Sequence, residues 1–103
     1  MSTRVIRYRT TDECADENQK LVEDVFAELA ERRPPGLRYA SFRLDDGTSF
    51  VHVISIDDDA PRNPLAGVEA FERLQEDVER LCVEHPVAFG ATRVGAYEPA
   101  DGV

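Results

Sequence analysis

Several things are scarce in this chain, and each scarcity closes a class of explanation. Two cysteines in 103 residues, Cys14 and Cys82, are too few and too far apart for a disulfide framework and lack the paired spacing of a zinc site, so they read as two reduced thiols. No apolar run approaches the roughly 18 to 20 residues that cross a bilayer, and Met1 to Arg9 lacks the apolar core of a secretion signal. A cytoplasmic protein with no membrane partner is expected. Twelve Lys and Arg stand against 21 Asp and Glu, a formal charge of −9. That field repels phosphates, so nucleic acid is not an expected partner either. Neither low-complexity tracts nor an internal repeat occurs.

What is present suits a small globular fold. Hydrophobic residues make up 42% of the chain and charged residues 32%, ordinary values for a folded domain. The length predicts one domain, 1–103, that buries only about two-thirds of its unfolded surface. The last residues, 99–103, are expected to be loose.

Val5-Ile6-Arg7-Tyr8-Arg9 reads as a strand, and Thr10-Thr11-Asp12 after it supplies capping oxygens. From Cys14 to Arg33 the residues Leu21, Val22, Val25, Phe26, Leu29 and Ala30 recur at helical spacing and form one apolar stripe. Pro34-Pro35-Gly36 ends that helix. Leu37 to Leu44 and Ser49 to Ile56 then flank Asp45-Asp46-Gly47-Thr48, which predicts a hairpin with Asp46-Gly47 in a type I′ turn. Such a loop sets Phe42 opposite Val51, Ser41 opposite His52 and Tyr39 opposite Ile54. A second helix is predicted from an Asn63 cap and Pro64 to Cys82, with Gly67 dividing its first turn from the rest. His85-Pro86 ends it, with the imidazole complementing the helix dipole, and Thr92 to Glu98 reads as a final strand.

Strand, helix, strand, strand, helix, strand with right-handed crossovers is the ferredoxin-like βαββαβ pattern, an α+β fold with both helices on one face of an antiparallel sheet. The hairpin is apolar on both faces: Ala40, Phe42, Val51 and Val53 on one, and Leu37, Tyr39, Phe50, Ile54 and Ile56 around Ser41 and His52 on the other. Two helices cover one face only. A homodimer that pairs the second face with its copy, over roughly 1,600 Å² in total, is therefore expected.

The element order, with Gly36-Leu37-Arg38-Tyr39, Phe42 to Gly47, Phe50-Val51-His52-Val53 and Asn63-Pro64-Leu65 through Ala70-Phe71, resembles the dimeric α/β-barrel superfamily that includes the antibiotic-biosynthesis monooxygenases. The likeness is to its stand-alone members without an assigned activity. It implies a pocket between sheet and helices for a small apolar or aromatic molecule, bound or oxidised without a cofactor. Haem-degrading relatives use a strand asparagine, a helix histidine and a tryptophan. This chain has no tryptophan, its asparagines are Asn18 and Asn63, and Ala70-Phe71 stands where the superfamily often places His-Phe on its second helix.

The pocket candidates are Tyr39, His52, Phe26 and Phe71, with His52 a weak candidate for catalysis as a proton acceptor. The plainer reading of His52 is a hydrogen-bonded histidine within the sheet, and of Tyr39 a core aromatic. Arg7, Tyr8 and Arg38 are candidates for an acid group, against simple pairing with the many carboxylates. Asp57-Asp58-Asp59 lacks the spaced ligands of a calcium loop, and no metal is expected. Cys14 and Cys82 sit at opposite ends of helices that run antiparallel, so a redox pair is a further option. A hydrolase on this fold would cradle an anion after strand one, where Thr10-Thr11-Asp12-Glu13 is acidic. The alternative to a ligand-binding or enzymatic role is a non-catalytic dimerisation or ligand-sensing module.

Overall fold

The computed structural model describes residues 1–99. Strands β1 (Ser2–Thr10), β2 (Leu37–Arg43), β3 (Ser49–Ile56) and β4 (Cys82–Ala91) form one antiparallel sheet in the order β2-β3-β1-β4. Helices α1 (Ala15–Arg32) and α2 (Glu69–Leu81) complete a ferredoxin-like α+β fold. The part of the predicted tail beyond residue 99 lies outside the described residues.

Alternation decides which sheet face the helices cover. Tyr8, Phe50, His52 and Ile54 are buried, and Tyr8 and Phe50 join Ala15 of α1 and Val78 of α2 in one apolar cluster. A second cluster joins Val22 and Val25 of α1 to Ala70 and Leu74 of α2, with Phe26, Tyr39 and Phe71 against it. The hairpin face carrying Tyr39 and His52 is thus the helix side. The opposite face lines up Phe42 with Val51, Val53 with Val5, and Val5 with Phe89. There Phe42 is 53% exposed, Val87 51% and Phe89 55%, so a broad apolar surface stays uncovered in one chain.

The hairpin register follows the sequence prediction, with Ser41 opposite His52 and Tyr39 opposite Ile54. The turn does not. A type I′ turn needs positive φ at both central residues, and only Gly47 has it, at +80°. The Leu44 carbonyl accepts from the Gly47 N–H at 2.9 Å, and the Asp46 carboxylate accepts from the Thr48 and Ser49 N–H groups at 3.0 and 2.8 Å. Asp46 therefore satisfies the loop amides through its side chain and leaves the left-handed position to glycine.

Two further expectations are corrected. Asn63 caps a single turn, accepting from the Leu65 N–H at 3.0 Å, and Gly67 at φ +80° ends that turn before α2 begins at Glu69. Val68 gives α2 no side-chain cap. Instead the Glu28 carboxylate reaches across from α1 and accepts from the Glu69 and Ala70 N–H groups at 3.1 and 2.8 Å, satisfying amides a helix start leaves open. Those bonds, together with the Arg32 guanidinium, hold the Glu28 carboxyl below its ordinary range.

The final strand also lies earlier than predicted. β4 starts at Cys82, directly after α2, and spans His85-Pro86, whereas residues 92–98 form no strand. His85 therefore lies in the strand and not at a helix end. Proline is tolerated because β4 is an edge strand and the pairing with β1 shifts between Arg7 and Arg9, a bulge opposite Pro86 that needs no regular ladder bond.

Candidate functional site

The helix-facing side of the sheet carries an unbroken row of polar contacts inside an apolar shell. Ile6 and Tyr8 of β1 lie opposite His52 and Phe50 of β3, and β2 brings Ser41 to His52 from the other side. His52 is 2% exposed. Its Nε2 is 2.9 Å from the Tyr8 hydroxyl and its Nδ1 is 2.8 Å from the Tyr39 hydroxyl. Asn18 of α1 donates from Nδ2 to the Tyr8 oxygen at 2.9 Å. Four side chains from four elements thus form one hydrogen-bonded chain.

Burial sets the charge state of the three ionisable members, His52, Tyr8 and Tyr39. It drives His52 down to about 4 and Tyr8 up to about 12. Tyr39 moves upward as well, through burial first and the neighbouring Tyr8 second. At neutral pH the imidazole is uncharged and both phenols keep their protons. The rings reinforce the contacts: Tyr8 stacks on Phe50 with centroids 5.6 Å apart, and Phe26 and Phe71 meet Tyr39 edge-on at 4.9 and 6.3 Å.

Beside this chain a cleft of about 310 Å³ opens between the sheet and α2. Ile6, Phe71, Leu74, Val78, Pro86 and Ala88 supply its apolar walls, and Tyr8, Tyr39 and His52 its polar lining. Gln75 and Glu79 also border it. Such a space, apolar with a few convergent hydrogen-bonding groups, suits a small organic molecule. Of the sequence candidates, Tyr39, His52 and Phe71 border this cleft. Phe26 lies behind Tyr39 and lines a separate depression of about 360 Å³ with Leu29, Arg33, Pro34 and Leu37.

The structure separates the proposed acid-binding trio. Arg7 and Arg38 belong to the open face, where they sit opposite Val51 and Ser55, while Tyr8 is buried on the helix side. The carboxylate pairing expected for Arg7 and Arg38 is not found among the described residues; Arg9 pairs with Glu84 and Arg43 with Asp16 instead. Cys14 and Cys82 are both free thiols. Cys82 packs on the Tyr8 cluster, and burial raises its thiol to about 11. Among the described residues no group of three or more His, Cys, Asp or Glu side chains is placed to hold a metal, and Asp58 meets the N-terminal amine.

Asn18 and the true role of Tyr8 escaped the sequence reading. The signal for Asn18 was present, since Ala15, Asn18, Val22 and Val25 share the buried stripe of α1, and a polar residue at such a position implies a buried partner.

No protein-family model matches the chain, and no curated protein matches it. Solved structures do. An antibiotic biosynthesis monooxygenase matches with a TM-score of 0.72 at 18% identity, covering 92% of this chain and 100% of that one. A monooxygenase from the gene ActVA-Orf6 of Streptomyces coelicolor, solved with the ligand nanaomycin D, gives 0.64 at 23% identity over 96% and 92%. SnoaB, a cofactor-independent oxygenase from Streptomyces nogalater, gives 0.62 at 25% identity over 90% and 94%. The chain has the fold of the antibiotic biosynthesis monooxygenase-like proteins.

Proposed function

We propose that this protein binds a small apolar or aromatic molecule, without a cofactor, in the cleft between the sheet and α2. The observation that carries the reading is the buried Tyr8–His52–Tyr39 group bordering an otherwise apolar cavity of about 310 Å³. A space walled by Phe71, Leu74 and Val78 rewards apolar surface, and the tyrosine and imidazole groups orient what enters. SnoaB is an oxygenase that needs no cofactor, which makes oxidation of the bound molecule a natural comparison. In this chain, however, both nitrogens of His52 are engaged by phenols, which leaves no free base at the centre. Binding or sensing is therefore the role we assign, in place of oxidation. The working form is a cytoplasmic homodimer paired through the open sheet face, where Phe42, Val87 and Phe89 stand half exposed.

The test is a titration of 1-fluoronaphthalene into isotope-labelled protein. Amide shifts confined to Tyr39, His52, Phe71 and Leu74 are expected, with no oxygen uptake at an electrode. Shifts that avoid those residues would remove the reading, and sustained oxygen uptake that depends on the cleft would replace binding with catalysis.

A further inference from the structure

Asn18 is completely buried; its Nδ2 donates to the Tyr8 oxygen and its Oδ1 has no hydrogen-bond partner among the described residues. Turning the amide over would move two N–H donors to the place where Oδ1 now stands unpartnered. An unpaired carbonyl oxygen is the lesser cost, because orphaned buried donors are the rarer defect. The amide therefore donates to Tyr8. With its oxygen already accepting, Tyr8 has one polar neighbour left for its own proton, His52 Nε2 at 2.9 Å. A neutral imidazole that accepts at Nε2 carries its hydrogen on Nδ1. That N–H donates to the Tyr39 oxygen at 2.8 Å, and the Tyr39 proton is left for the cleft.

We infer that Asn18 is a positioning residue that sets the direction of the whole chain, so that the cleft presents a donor O–H at Tyr39 and selects molecules bearing an acceptor oxygen there. This selection rule rests on the ligand-binding reading; the direction of the chain does not. Every proton in the row points from the core of α1 toward the cavity, and the Tyr39 O–H at its end meets the ligand.

The test uses nitrogen-15 spectra of the His52 ring and three tricyclic probes of similar shape: 9-fluorenone, which only accepts, carbazole, which only donates, and fluorene, which does neither. The wild-type ring is expected in the Nδ1–H form, with fluorenone bound about tenfold tighter than fluorene, the worth of about one hydrogen bond, and tighter than carbazole. Asn18→Asp at pH 8 offers Tyr8 an acceptor. It is expected to reverse the row, shift the ring to Nε2–H and turn the preference toward carbazole. A wild-type ring in the Nε2–H form, or carbazole preferred by the wild type, overturns the inference. If Asn18→Asp does not fold, the wild-type spectrum still decides, together with Tyr39→Phe, which must abolish the preference for fluorenone over fluorene. If none of the probes binds, the ligand-binding reading and the selection rule fall together, and the ring spectrum alone judges the role of Asn18.

Discussion

Protonating His52 would place a cation where the ring has almost no contact with water and where Nε2 already accepts a hydrogen bond. The unfolded chain takes up that proton near pH 6.5, whereas the folded chain resists until about pH 4. Between those values the unfolded state binds more protons, so stability falls as the pH is lowered through this window and levels off below it. The loss is on the order of 3 kcal/mol. Urea denaturation of His52→Gln at pH 7 and pH 4.5 should show a much smaller fall than the wild type. Equal falls would mean that other groups carry the acid response. Tyr8→Phe removes a hydroxyl that bonds both Asn18 and His52 and should cost about 1 to 3 kcal/mol in the same assay, since buried polar partners lose their bonds without gaining water. At this scale the sequence was partly legible. His52 and Tyr39 stood out by type and cross-strand register. Asn18 shows in the sequence only as a polar residue on an apolar stripe; its partner lies on another element, and no local pattern reveals which polar residue meets which across a core.

The first turn of α2 depends on a side chain from elsewhere. Glu28→Ala should leave the Glu69 and Ala70 amides without their acceptor and lower the urea midpoint, as the loss of a helix cap does. Hydrogen exchange should quicken at those two amides first; uniform acceleration along α2 would point to a different cause. Asp46 works in a similar way on the hairpin loop, where the Ser49 hydroxyl, first among its bonds, keeps its carboxyl below the ordinary range. Periodicity located α1, the hairpin and its register well, because each is written within a short stretch. It misplaced β4, because His85-Pro86 carries a strong local signal against continuation, and only pairing with β1 makes an edge strand out of it. It also started α2 too early at Asn63, where a capped single turn mimics a helix start until Gly67 intervenes.

For the molecule as a whole, the helices shelter one face of the sheet and leave a band from Phe42 to Phe89 in contact with water. If that band pairs with its copy, sedimentation at micromolar concentration should give twice the 11.5 kDa chain mass, and Phe89→Glu should return the monomer with helices and sheet intact. A wild-type monomer at that concentration would dispose of the homodimer. The two-sided apolarity behind this expectation could be read directly from the strand sequences. The cleft could not, since its walls come from all four strands and α2, and its volume is what remains after their packing is fixed.

The bulge at Pro86 bears on growth as well as on shape. A proline has no N–H to give to any ladder, and the pairing with β1 shifts at Pro86 and again between Arg9 and Thr10, which bends this part of the border out of register. Strand-by-strand polymerisation along β4, the route by which flat borders seed fibrils, is interrupted at its middle.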